Sequence, residues 1–87
     1  MPDEYLPPNP ILFIQNLPSA GVTREELESL FREFDGLQDV RTIPGRNVAF
    51  VEYVGAIEAT RAREALNGKK INEGDEAGMR VTFARAS

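Results

Sequence analysis

The chain has 87 residues, 41% of them hydrophobic, which suits one small globular domain with a single modest core. It contains no cysteine and no histidine, which excludes a disulfide framework, thiolate or imidazole metal sites, and the commonest catalytic nucleophile and general base. The formal charge of −4 argues against tight, nonspecific attraction to phosphates, which requires a basic surface.

The first ten residues include Pro2, Pro7, Pro8 and Pro10, making a stiff polar lead-in unlike a signal peptide. We assign 1–9 as a linker or tail with Tyr5 and Leu6 as its only apolar anchors. They are candidates to fold back over the domain, although an open lead-in is the favoured reading. Ile11-Leu12-Phe13-Ile14 is β-branched and aromatic and predicts strand one at about 11–16. Thr23 and Glu26 have capping-box spacing. Leu27, Leu30, Phe31 and Phe34 follow as one apolar stripe, so helix one is expected at about 24–34, with Gly36 ending it.

Val40 to Ile43 predicts strand two, Pro44-Gly45 a tight turn, and Val48 to Tyr53 strand three, a hairpin. Ala56 to Leu66, with small residues at Ala59 and Ala62, predicts helix two. An acidic, Gly-containing connection over 72–78 leads to strand four at Met79 to Ala84. No run of about 18 apolar residues marks a membrane span. The order βαββαβ is that of a ferredoxin-like α+β sandwich, a four-stranded antiparallel sheet with both helices on one face.

Function is expected on the uncovered face. Side chains alternate along strands, and Glu52 and Gln15 mark the outward sets. That parity places Phe13, Gln15, Ile43, Val48, Phe50 and Arg41 outside, together with Arg80, Thr82 and Ala84 of strand four. Leu12, Ile14, Val40, Thr42, Ala49, Val51, Tyr53, Met79, Val81 and Phe83 point toward the helices. Aromatic rings flanked by arginines are what unstacked bases use: rings stack, guanidinium groups take phosphate, amides read base edges. The acidic residues are expected mainly elsewhere, on helix one and in the last connection, where they form a solvated face.

Leu12-Phe13-Ile14-Gln15-Asn16-Leu17 and Arg46-Asn47-Val48-Ala49-Phe50-Val51-Glu52-Tyr53 resemble the hexamer and octamer motifs of RNA recognition motifs, and the resemblance spans about 10–86. Asn9 to Phe13, Val40 to Arg46, Ala49 to Tyr53, Ala62 to Gly68 and Val81 to Arg85 are similar, more narrowly, to the C-terminal RNA recognition motif of the spliceosomal U1 A and U2 B-double-prime ribonucleoprotein family. The resemblance implies an RNA-binding domain acting in pre-mRNA splicing in the nucleus. It implies single-stranded RNA, small nuclear RNA or pre-mRNA, and other spliceosomal proteins as partners, and it adds Arg46 to the RNA-facing set. No cofactor or metal is implied, and the isolated domain is expected to be monomeric.

Two octamer positions depart from the family pattern. Asn47 stands where glycine is usual, and Val48 where an aromatic ring is usual. Losing that ring, together with a Pro44-Gly45 turn too tight for a long basic loop, predicts weak RNA binding. An enzyme is not expected: there is no Gly-rich anion cradle, and paired cysteines of the copper-carrier type are absent. The alternative is a protein-binding RNA recognition motif with little RNA affinity. Helix one is acidic, as that alternative requires, but the Arg-x-Phe motif that accompanies it is missing from 69–78.

Overall fold

The computed structural model describes residues 7–18, 22–43, 45–71 and 78–84. Its elements are β1 (Ile11–Gln15), α1 (Arg24–Phe31), β2 (Leu37–Ile43), β3 (Val48–Tyr53), α2 (Ala56–Leu66) and β4 (Arg80–Phe83). They form one antiparallel sheet in the order β2-β3-β1-β4, so the expected βαββαβ architecture is what the chain adopts. The two strands carrying the motif residues are the central pair. Expectations concerning Tyr5 and Leu6, Pro44, the acidic loop at 72–77 and Arg85 lie outside the described residues.

The capping box forms as its spacing predicts. The Thr23 hydroxyl accepts from the Glu26 amide at 3.1 Å, and the Thr23 amide donates to Glu26 Oε1 at 3.3 Å. Helix α1 nevertheless stops at Phe31, three residues before the expected end. The cause lies across the core. The Phe31 carbonyl accepts from the Tyr53 hydroxyl at 2.6 Å and from the Phe34 amide at 3.2 Å, so the backbone tightens into a turn instead of continuing. Gly36, at φ +92°, then directs the chain into β2. That strand begins three residues earlier than the sequence pattern suggests, with an irregularity between Leu37 and Asp39 that breaks simple alternation there.

The strand ends shift by one residue for local reasons. Asn16 is left-handed at φ +62° and closes β1, while its neighbour Leu17 donates to the Asn47 carbonyl. Asn47 is itself left-handed at φ +55°. Asparagine tolerates that region better than most residues, so it satisfies the backbone demand that glycine would meet at this octamer position. Gly45, at φ +80°, and the Arg46 amide donating to the Ile43 carbonyl close the hairpin.

The core lies between the sheet's inner face and the two helices. Leu12, Ile14, Val40, Ala49, Val51, Tyr53, Met79, Val81 and Phe83 from the strands pack with Leu27, Phe31, Ala59, Ala62 and Leu66, as the parity reading expects. Ala59 and Ala62 are fully buried, and their small side chains let α2 lie close to the sheet. At the chain's entrance the Asn9 side chain donates to the Ala84 carbonyl at 2.7 Å and accepts from the Ile11 amide at 2.8 Å. Asn9 thus joins the beginning of β1 to the end of β4 and works as part of the fold, although it falls in the segment assigned to the linker.

Burial pushes the Tyr53 phenol well above its usual value. A group with a raised folded-state pKa adds stability that is complete below its unfolded value, and that stability declines as pH rises past it. Stability should therefore fall above about pH 10, where the unfolded phenol ionises freely. Urea midpoints measured between pH 8 and pH 11.5 should drop less steeply in Tyr53→Phe. Identical slopes would count against the buried phenol as the cause.

Candidate nucleic-acid interface

The open face is built on register. Phe13 of β1 is directly paired with Phe50 of β3 on one side and with Thr82 of β4 on the other, and Phe50 is paired with Arg41 of β2. One row across the four strands therefore reads Arg41, Phe50, Phe13, Thr82. The two rings are half-buried, with centroids 5.0 Å apart and planes tilted by 32°. Cross-strand partners in such a pair present one continuous apolar shelf.

The next row toward the hairpin carries Val48 paired with Ile43 and Gln15 paired with Arg80. Val48, Ile43 and Gln15 are half-buried, whereas Arg41, Arg46 and Arg80 are exposed. Gln15 Oε1 is buried without a hydrogen-bond partner, so this oxygen meets a ligand only if the amide rotates outward. Arg46 stands in the hairpin turn, beyond the end of the sheet. Among the described residues, no cluster of acidic, His or Cys side chains has metal-holding geometry.

The structure revises one sequence expectation about this face. Thr82 is on the outward side by register but only 4% exposed, and its hydroxyl turns toward the Phe13 carbonyl at 3.4 Å. It supports the strand beneath Phe13 more than it offers a contact. Glu52, outward as its parity requires, is paired with Asp39 on β2 and with Ile11 on β1, which puts two carboxylates at the end of the shelf away from the hairpin. On the opposite side of the molecule, Glu28 of α1 holds Arg24 at 2.9 Å and Arg32 at 2.8 Å, and Arg24 also reaches Asp39 at 3.3 Å. These two arginines are engaged with α1 and the β2 edge and do not belong to the shelf.

Sequence reasoning missed Asp39 because it began strand two at Val40, whereas β2 reaches back to Leu37 and keeps the Asp39, Arg41, Ile43 alternation from Asp39 onward. It also missed the hollow beside Val48, a depression of about 240 Å³ lined by Leu17, Pro18, Val22, Ile43 and Val48 among others. Only the absence of the usual octamer ring hinted at that space.

A four-stranded sheet with an aromatic pair on its two central strands, covered on one face by helices and open on the other, is the architecture of a nucleic-acid-binding module. The sequence pattern of the RNA recognition motif family matches residues 12–74, and the chain belongs to that family, an RNA-binding module rather than an enzyme family. U1 small nuclear ribonucleoprotein A of Drosophila melanogaster is 41% identical over 80 residues, which is 91% of this chain and 36% of that protein. U2 small nuclear ribonucleoprotein B'' of Arabidopsis thaliana is 40% identical over 83 residues, which is 94% of this chain and 34% of that protein. The chain thus spans about a third of the length of these curated relatives. Among solved structures, the MEC-8 C-terminal RRM domain bound to AGCACA is 35% identical with a TM-score of 0.74, covering 93% of this chain and 96% of that one.

Proposed function

We propose that this domain binds single-stranded RNA on its open sheet face, as the C-terminal RNA recognition motif of a nuclear small nuclear ribonucleoprotein protein that acts in pre-mRNA splicing. The observation that carries the reading is the Phe13–Phe50 pair, two rings 5.0 Å apart on the accessible side of the central strands. Gln15 and Arg80 on one side, with Arg41 on the other, supply polar contacts for base edges and phosphates; Arg46 adds a cation at the hairpin. The similarity to U1 and U2 ribonucleoprotein proteins supports the splicing context, and nuclear residence follows from that context. The domain acts as a monomer, alongside other spliceosomal proteins.

Binding is weak in this reading. Val48 supplies no ring, the net charge is −4, and few cations face the shelf. Few phosphates are neutralised, so affinity should depend only shallowly on salt. Titration of the ¹⁵N-labelled domain with AGCACA as an RNA, the sequence to which the MEC-8 domain is bound, tests the assignment. Shifts should concentrate at Phe13, Gln15, Phe50 and Arg80 and spare α1. Shifts confined to residues 25–33 would defeat the sheet-face reading.

Such a result would favour docking of a protein, the second reading. One observation supports it: Val54 and Ile57, around the start of α2, are 58% and 66% exposed. Large apolar side chains left open beside acidic neighbours offer a place for a partner.

A further inference from the structure

Beside Phe50, on the side away from the hairpin, the sheet has a shallow depression of about 290 Å³ lined by Ile11, Asp39, Arg41, Phe50, Glu52 and Ala84. We infer that this depression selects the base stacked on Phe50, that Glu52 determines the selection, and that guanine is the base preferred. The inference rests on the RNA-binding reading above and adds to it a specificity-determining residue.

The argument begins with position. Glu52 is two residues beyond Phe50 on β3, so both side chains leave the same face about 7 Å apart along the strand. A base lying on the Phe50 ring has its hydrogen-bonding edge within that interval. Arg41 is the cross-strand partner of Phe50, which makes it a diagonal neighbour of Glu52, within reach of long side chains. Neither Arg41 nor Glu52 forms an ion pair among the described residues, whereas Asp39 is engaged with Arg24. The depression therefore presents one unengaged guanidinium and one unengaged carboxylate to the same base.

Chemistry then separates the bases. A carboxylate only accepts hydrogen bonds, and its two oxygens match two adjacent donors. Guanine places N1–H and the N2 amine side by side, with O6 next to them for a guanidinium. Adenine and cytosine offer the carboxylate one amine each. Uracil offers a single N3–H between two carbonyl oxygens, which a carboxylate repels. The expected order is guanine first, adenine and cytosine next, and uracil last.

The test compares RNAs UUUNUU, with N as guanine, inosine, adenine, cytosine or uracil, by fluorescence anisotropy at low salt. A single preferred base in a uridine background also fixes the binding register. Guanine should bind roughly tenfold more tightly than uracil, the lower end of what a bidentate base contact supplies. Inosine, which lacks the N2 amine, should lose most of that gain. In Glu52→Gln, guanine and uracil should come within about twofold of each other. The ratio is the readout, because removing a negative charge raises affinity for every RNA. Glu52 is exposed and outside the core, so the variant retains the fold.

Equal native affinities for guanine and uracil, or a guanine preference unchanged in Glu52→Gln, would overturn the inference while leaving the aromatic shelf intact. If neither these RNAs nor AGCACA shifts Phe13 and Phe50, the RNA-binding reading and this inference both fall.

Discussion

Replacing Gly78 with alanine is expected to lower the stability of the domain by about 3 kcal/mol, the upper part of the range for forced overpacking. A Cβ at this position would overlap the Gly68 carbonyl group. The two backbones are held in contact by paired hydrogen bonds: the Gly68 amide donates to the Met79 carbonyl at 2.8 Å, and the Met79 amide donates to the Lys69 carbonyl at 2.9 Å. One step away, the Asn67 side chain accepts from the Val81 amide at 2.9 Å. Relieving the clash requires the chain to give up at least one of these bonds, which tie the entrance of β4 to the end of α2. In a domain of this size a loss of about 3 kcal/mol corresponds to a fall in Tm of roughly 12–24 °C.

Gly68→Ala is the control. Gly68 has φ +87° and open space where a Cβ would go, so alanine there pays only the left-handed strain of about 1–2 kcal/mol. Thermal and urea unfolding of both variants, followed by circular dichroism, separates the two effects. Equal losses would show that close approach of the backbones is not what Gly78 relieves.

This stitch also marks where reading the sequence reaches its limit. Elements whose causes are local are legible in order: the capping box at Thr23 and Glu26, the alternation of β1 and β3, and the small-residue face of α2 all appear where their spacing places them. The outward positions of Phe13 and Phe50 follow from the same alternation. Features decided by distant partners are not legible. The end of α1 depends on a hydroxyl from Tyr53, 22 residues on. The burial of Thr82 depends on its turn toward the Phe13 carbonyl. Asn9 reads as the end of a polar lead-in until its side chain is seen bonded to Ala84, 75 residues away. The pairing of Asp39 with Glu52 required the register of β2 against β3, and so did the pairing of Arg41 with Phe50.

The largest functional effect should come from the rings themselves. Phe50→Ala and Phe13→Ala are each expected to weaken RNA binding about tenfold or more, because stacking on an aromatic side chain contributes roughly 1–3 kcal/mol per base. The two rings touch, so the double variant should lose less than the sum of the single losses. Each ring removed should cost some stability, roughly 0.2–1 kcal/mol for a cross-strand aromatic pair, but the fold persists because the core packs against the other side of these strands, on Leu12, Ile14, Ala49 and Val51. Val48→Phe should act in the opposite direction. Val48 faces outward beside a depression of about 240 Å³ shared with Leu17, Pro18, Val22 and Ile43. A ring there has room without displacing the core, and it would restore the third aromatic contact that the family's octamer usually provides. A gain of about fivefold or more is expected from even a modest stacking contribution. Dissociation constants for the four variants against AGCACA provide the check, with thermal unfolding to confirm that each is folded. If Phe50→Ala binds as the native domain does, the shelf is not where RNA lies. If Phe50→Ala weakens binding but Val48→Phe leaves it unchanged, the shelf stands and the missing ring is not what limits its affinity. The remaining cause would then be charge: the Glu52 carboxylate, beside an Asp39 held by Arg24, in a chain of net charge −4 facing a phosphate backbone.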